Sequence, residues 1–155
     1  MSARQPLPFL AASGRAITPV AFVDAAVQAY RERGVDPLAA LERAHIPPSE
    51  LRRRGARVTA AQFEIFAESA MRELDDEALG WFSRRLPWGA YGMLCRASLT
   101  RGPLELALKR WRRHHRILTE DVLFALEVEN GLASWSIEER RDLGPYHEFC
   151  LVTLM

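Results

Sequence analysis

The chain of 155 residues carries 21 basic and 20 acidic side chains, a net charge of +1. That balance lacks the basic footprint of a domain whose whole surface binds nucleic acid. Hydrophobic residues make up 48% and charged residues 26% of the chain, which together with its length points to one soluble globular domain with a continuous core. No apolar run approaches the ~20 residues of a membrane span.

The first residues, MSARQPLPFLAASGRA, hold a short apolar patch interrupted by Pro6 and Pro8. A secretory signal needs a longer uninterrupted apolar segment. Residues 1–17 therefore read as a flexible N-terminal segment, and 18–155 as the folded domain. The first helix reads from Thr18 as N-cap and Pro19 as first helical residue, with Gly34 just past its end. Val20, Val23, Val27 and Tyr30 recur along it at helical spacing. The same grammar returns at once: Asp36 caps, Pro37 starts, and Leu38 and Leu41 form a short apolar stripe. IPPSELRRRG adds one further short turn closed by Gly55.

Thr59 to Gln62, TAAQ, has the form of a capping box, in which the threonine and glutamine side chains each take the other's backbone N–H. The helix it opens carries Phe63, Phe66, Ala67, Ala70, Met71 and Leu74 on one side. EALGWFSRRL reads as a shorter helix despite its internal glycine. PWGAYGMLCRASLTRGP reads as a loop, then a short helix over Met93 to Leu99, then a break at Gly102. Pro103 opens a longer helix whose apolar face runs Leu104, Ala107, Leu108, Trp111, His115 and Leu118.

Asn130-Gly131 is a hairpin turn signal, because both positions of that turn need positive φ. A two-residue loop there pairs Glu129 with Leu132, Val128 with Ala133, Leu126 with Trp135 and Phe124 with Ile137. All of these except the closing pair are apolar and alternate with Glu127, Ser134 and Ser136, so one face is expected to be buried and the register is set. After it, DLGPYHEFCLVTLM reads as a turn and the start of a helix with Phe149, Leu151, Val152 and Leu154 apolar, a helix that looks cut rather than finished. The fold class expected is α+β and predominantly helical, with a small β element that includes one hairpin near residues 121–139. No internal repeat or clear linker is visible.

Few residues offer chemistry. His114 and His115 are adjacent and face different parts of the helix surface, whereas a helical zinc pair needs i, i+4 spacing. His45 and His147 add no ligand pattern, so no metal is expected. His115 falls on the apolar face, as a core or pocket-lining residue, with His114 solvated. Cys95 has no protease signature around it and reads as a buried structural thiol. Cys95 and Cys150 form no CxxC pair, which fits a reduced cytosolic compartment. No nucleophile elbow, phosphate loop or dinucleotide fingerprint appears, so no catalytic residue and no cofactor is expected. Asp75-Asp76 and Glu138-Glu139 read as solvent-facing, and the basic runs Arg52 to Arg54 and Lys109 to Arg116 as solvated surface. The aromatic residues carry more information. Trp88 and Tyr91 in a glycine-containing loop, beside Trp111 and His115 on the long helix, could wall a small-molecule pocket. Plain core packing is the rival reading.

In order, the stretch contains GVDP (34–37), IPPSEL (46–51), VTAAQFEIFA (58–67), ALG (78–80) and GAYGMLCRASLTRGPLELALKRWRRHHRIL (89–118). This succession resembles the N-terminal regulatory domain of one non-cupin branch of AraC-type transcription regulators, from about residue 18 to the end. The resemblance implies a cytoplasmic bacterial sensing or dimerisation domain, not an enzyme. It implies a small-molecule effector, a homodimer, no membrane, and contact with DNA only through a C-terminal helix-turn-helix domain absent from this chain. It carries over no ligand residues by position. The alternative is a stand-alone protein-interaction module with no small-molecule ligand.

Overall fold

The computed structural model describes residues 14–99 and 101–144, together with Cys150 and Leu154. Residues 1–13 of the expected flexible segment, and His147, Phe149, Leu151 and Val152 of the expected terminal helix, lie outside the described residues. Cys150 and Leu154 are both helical. The chain divides into two compact units, Met1–Leu74 and Asp75–Met155, where length suggests one core. None of the described helices is long and apolar enough to cross a membrane.

In the first unit, β1 (Thr18–Pro19) pairs antiparallel with β2 (Arg57–Val58). The helix expected from Thr18 therefore starts later, as α1 (Ala21–Glu32). The reason is tertiary: the Val20 N–H donates to the Ala56 carbonyl at 3.0 Å, which holds the preceding residues extended. Its end is as expected. Gly34 takes φ +65°, and the Gly34 and Val35 N–H groups return to the carbonyls of Arg31 and Tyr30. Next, α2 (Leu38–Arg43) begins with the Asp36 carboxylate accepting the Leu38 N–H at 3.0 Å. A 3-10 turn, Pro48–Arg52, follows. The capping box is present: Thr59 Oγ1 accepts the Gln62 N–H at 3.1 Å, and Gln62 Oε1 accepts the Thr59 N–H at 3.0 Å. It opens α3 (Ala60–Glu73). Val23, Val27, Tyr30, Leu41, Phe66 and Ala70 are fully or almost fully buried and make the core of this unit.

The second unit opens with a departure from expectation. Residues 77–89 hold no helix. Asp76 is 1% exposed, not solvent-facing. One of its carboxylate oxygens accepts the N–H groups of Ala78 and Leu86, at 3.0 and 2.9 Å, and the other accepts that of Gly80 at 3.0 Å. A side chain that takes local backbone donors competes directly with the helical ladder. Leu79 and Gly80 turn to positive φ around it, and the segment folds as consecutive turns. Beyond it lie α4 (Ala90–Ser98) and α5 (Leu104–Leu118), packed on each other.

The hairpin follows as β3 (Val122–Glu129) and β4 (Leu132–Glu139), with Asn130 at φ +51° and Gly131 at +77° between them. Its register is the expected one, from Glu129↔Leu132 through Phe124↔Ile137. β3 packs against α5. Burial fades toward the tip: Phe124 is 6% exposed, Trp135 and Ile137 are half-buried, and Val128 is 51% exposed. The base of the strands is tied down by Asp121. Its carboxylate accepts the Ser83 hydroxyl at 2.9 Å and the Ser83 N–H, and lies 3.5 Å from Arg141 Nε.

Candidate functional site

Three carboxylates shape the entry to α4. Asp75 accepts the Trp88 N–H at 2.9 Å, and Glu77 accepts the N–H groups of Gly89 and Tyr91 at 2.8 and 2.7 Å. Glu77 thus satisfies donors that the first turn of α4 leaves open, in place of a local N-cap. With Asp76 they give the glycine-containing stretch a defined path. Tyr91, expected in a loop, stands in the first turn of a helix. Trp88 precedes that helix and is 42% exposed.

From α4, the Tyr91 hydroxyl reaches His115 Nε2 on α5 at 3.2 Å. His115 has no exposed surface and sits inside an aromatic cage. Trp111 stacks on it with centroids 4.9 Å apart, and Phe124 meets it edge-on at 4.7 Å. Trp111 also meets Phe124 at 4.8 Å and Trp135 at 5.8 Å, so the hairpin and α5 share one aromatic cluster. Burial lowers the His115 pKa to about 4, because the apolar cage disfavours the imidazolium. The ring is therefore neutral at pH 7. Its Nδ1 is buried and makes no hydrogen bond among the described residues. Burial also raises the Tyr91 pKa, and Cys150, once ionised at high pH, and the Glu77 carboxylate add to it. Cys150 is buried, and its thiol is pushed up to about 12 by burial first and then by Glu139 and Asp121. It is held protonated and unreactive.

Beside this cluster, between α4, α5 and the hairpin, lies a cleft of about 320 Å³. Trp111 and Trp135 form its wall nearest the aromatic cluster. Cys95, Ser98 and Leu99 line it from α4 and its end, Leu104, Ala107 and Leu108 from α5, and Leu154 from near the C-terminus. Among the described residues no charged side chain lines it. Its described lining includes Cys95 and Ser98, and the Ser98 hydroxyl already donates to the Leu94 carbonyl at 2.7 Å and contacts His114 Nδ1 at 3.2 Å.

Of the four residues expected to wall a pocket, Tyr91, Trp111 and His115 come together. Only Trp111 reaches the cleft; Tyr91 and His115 support it from the cluster behind, and Trp88 is not part of its lining. Two other expectations change. Cys95 is exposed, not a buried thiol, and His114 is half-buried against Ser98. Trp135 is the wall that sequence reading did not assign. The hairpin register, which sets it on the same face as Phe124, was the signal available. Among the described residues no three His, Cys, Asp or Glu side chains gather where a metal ion could be held.

Comparison with known proteins agrees with this architecture. Residues 34–155 match the family described as the arabinose-binding domain of AraC transcription regulator, N-term. The chain is also similar to an ornithine utilization regulator from Pseudomonas aeruginosa, at 28% identity over 153 residues. That alignment takes in 98% of this chain and 44% of the relative, so the chain spans less than half the length of the curated relative it matches.

Proposed function

This chain belongs to the family of N-terminal arabinose-binding domains of AraC transcription regulators, and from that premise we propose that it senses an uncharged, largely apolar effector in the cleft walled by Trp111 and Trp135. The observation that carries this reading is the lining. A sugar needs several convergent hydrogen-bonding groups, whereas the described lining of this cleft is two tryptophans and aliphatic side chains, with one thiol and a serine hydroxyl that already donates to the Leu94 carbonyl. The family description names arabinose, and the chemistry of this cleft does not suit it. Tyr91 and His115 back Trp111, and His115 itself is neutral and enclosed.

Regulation follows from differential binding. An effector wedged between α4, α5 and β4 favours the arrangement of those elements that it fits best, and shifts the population toward it. In a longer cytoplasmic regulator the shift is passed to a DNA-binding helix-turn-helix domain outside this chain. A homodimer belongs to the same reading. Sedimentation velocity on the chain measures it.

The cleft is tested with indole and L-arabinose. Indole should raise the melting temperature of the chain and bind saturably by calorimetry, and arabinose should do neither. Ala107→Trp, which fills the cleft from α5, should abolish indole binding while leaving the circular dichroism spectrum unchanged. Arabinose binding without indole binding, or equal indole binding by the filled variant, would refute this reading.

A further inference from the structure

A second cavity, of about 340 Å³, lies within the first unit and differs in chemistry from the first. Its apolar lining comes from Val27 of α1, Leu38 and Leu41 of α2, and Leu51 of the 3-10 turn. Val27 and Leu41 are 1% and 2% exposed and form its floor, while Leu38 at 42% stands at the rim. Arg31, Arg52 and Asp36 also line it. Two cations and one anion leave the lining with a net charge of +1.

The charges are unequally engaged. Asp36 accepts the Leu38 N–H at the start of α2. Arg31 has only a loose pair with Asp24, at 3.6 Å with both side chains about half exposed, and such pairs hold little energy in water. Next to Arg52, Arg53 donates two hydrogen bonds to one oxygen of Glu50. Arg52 itself has no ion pair or hydrogen-bond partner among the described residues. An uncommitted guanidinium beside a leucine and valine floor can recognise a carboxylate on an aliphatic body, since the cation fits a carboxylate's paired oxygens and the floor takes the carbon chain.

We propose that this groove is a second binding site, for a small aliphatic monocarboxylate whose head is held by Arg52 and favoured by the field of Arg31, and whose chain lies on Val27, Leu38, Leu41 and Leu51. The Asp36 charge makes a dianion a poorer ligand than a monoanion. The volume is at the lower end for small-molecule pockets, which suits a ligand of a few carbons. With no aromatic side chain among the described residues of its lining, the groove selects flexible chains over flat rings.

The experiment is a methyl NMR titration of the 155-residue chain with hexanoate, hexanamide and hexylamine. Hexanoate should saturate, with shifts centred on the methyl groups of Val27, Leu38, Leu41 and Leu51. The neutral amide and the amine should bind at least tenfold more weakly. Arg52→Gln should weaken hexanoate about tenfold, the worth of one charge-assisted contact, and Arg54→Gln, an exposed control outside the lining, should leave it unchanged. Both positions are exposed, so neither change threatens the fold. Equal binding of acid and amide, equal loss in the two arginine variants, shifts centred elsewhere, or no saturation below about 20 mM would each overturn the proposal. None of these outcomes bears on the Trp111–Trp135 cleft, which is tested separately with indole.

Discussion

Replacing Asp76 with alanine should unfold the second unit far more readily than any other single acidic change near it. The carboxylate accepts three backbone N–H groups, those of Ala78, Gly80 and Leu86, at 2.9 to 3.0 Å. Alanine leaves them without that acceptor, and Ala78 and Leu86 are buried at 2% and 1% exposure, where water does not replace it. A buried donor left unsatisfied costs about 1–3 kcal/mol. Two such donors, and a third partly relieved by solvent, amount to about 3–5 kcal/mol once the removed desolvation of the charge is set against them. Asp76→Asn retains one acceptor oxygen and should cost about half as much. Asp75→Asn is the control: its side chain is exposed, it accepts the Trp88 N–H, and asparagine tolerates its φ of +47°. Its cost should stay below about 1 kcal/mol. The assay is urea unfolding followed by tryptophan fluorescence. All four tryptophans, Trp81, Trp88, Trp111 and Trp135, lie in the second unit, so the signal reports that unit alone even if the two unfold separately. If Asp76→Ala costs under about 1 kcal/mol, or no more than Asp75→Asn, then the carboxylate does not organise the turns as argued.

The buried histidine makes a pH prediction. Its folded pKa of about 4 lies below the ordinary 6.5, so the unfolded chain binds the extra proton between those values. The stability due to the neutral ring is complete above pH 6.5 and is lost as pH falls toward 4, by roughly 3 kcal/mol in all. His115→Gln should flatten the stability curve over that window by up to one proton's slope, whatever its stability at pH 7; an unchanged slope would show that the ring is not held neutral by burial. At the hairpin, Gly131 adopts φ +77° with open space where a Cβ would stand. Gly131→Ala should therefore cost only the conformational penalty, about 1 kcal/mol by urea unfolding, and a neutral or stabilising result would mean the turn is not held in that form.

Much of this fold is legible in the chain because its causes are local. The Thr59–Gln62 capping box closes within four residues, the Gly34 stop needs only a residue that tolerates positive φ, and Asn130-Gly131 sets a turn from which the register of eight pairs follows by alternation. The apolar face of α5 is likewise a matter of spacing, which is why Trp111 and His115 were recognisable as partners. What sequence could not determine depends on groups distant along the chain. Whether Thr18 and Pro19 begin a helix or a strand was decided by Arg57–Val58 and the Ala56 carbonyl, about 40 residues away. Whether residues 77–86 coil or turn was decided by where one carboxylate found its donors, since helix propensity is weak against three hydrogen bonds to a buried charge. The cleft is a tertiary object for the same reason. Trp135 and Trp111 are 24 positions apart and meet only because β3 packs against α5, and the rings that surround His115 exclude the water that would have kept it an ordinary titrating histidine.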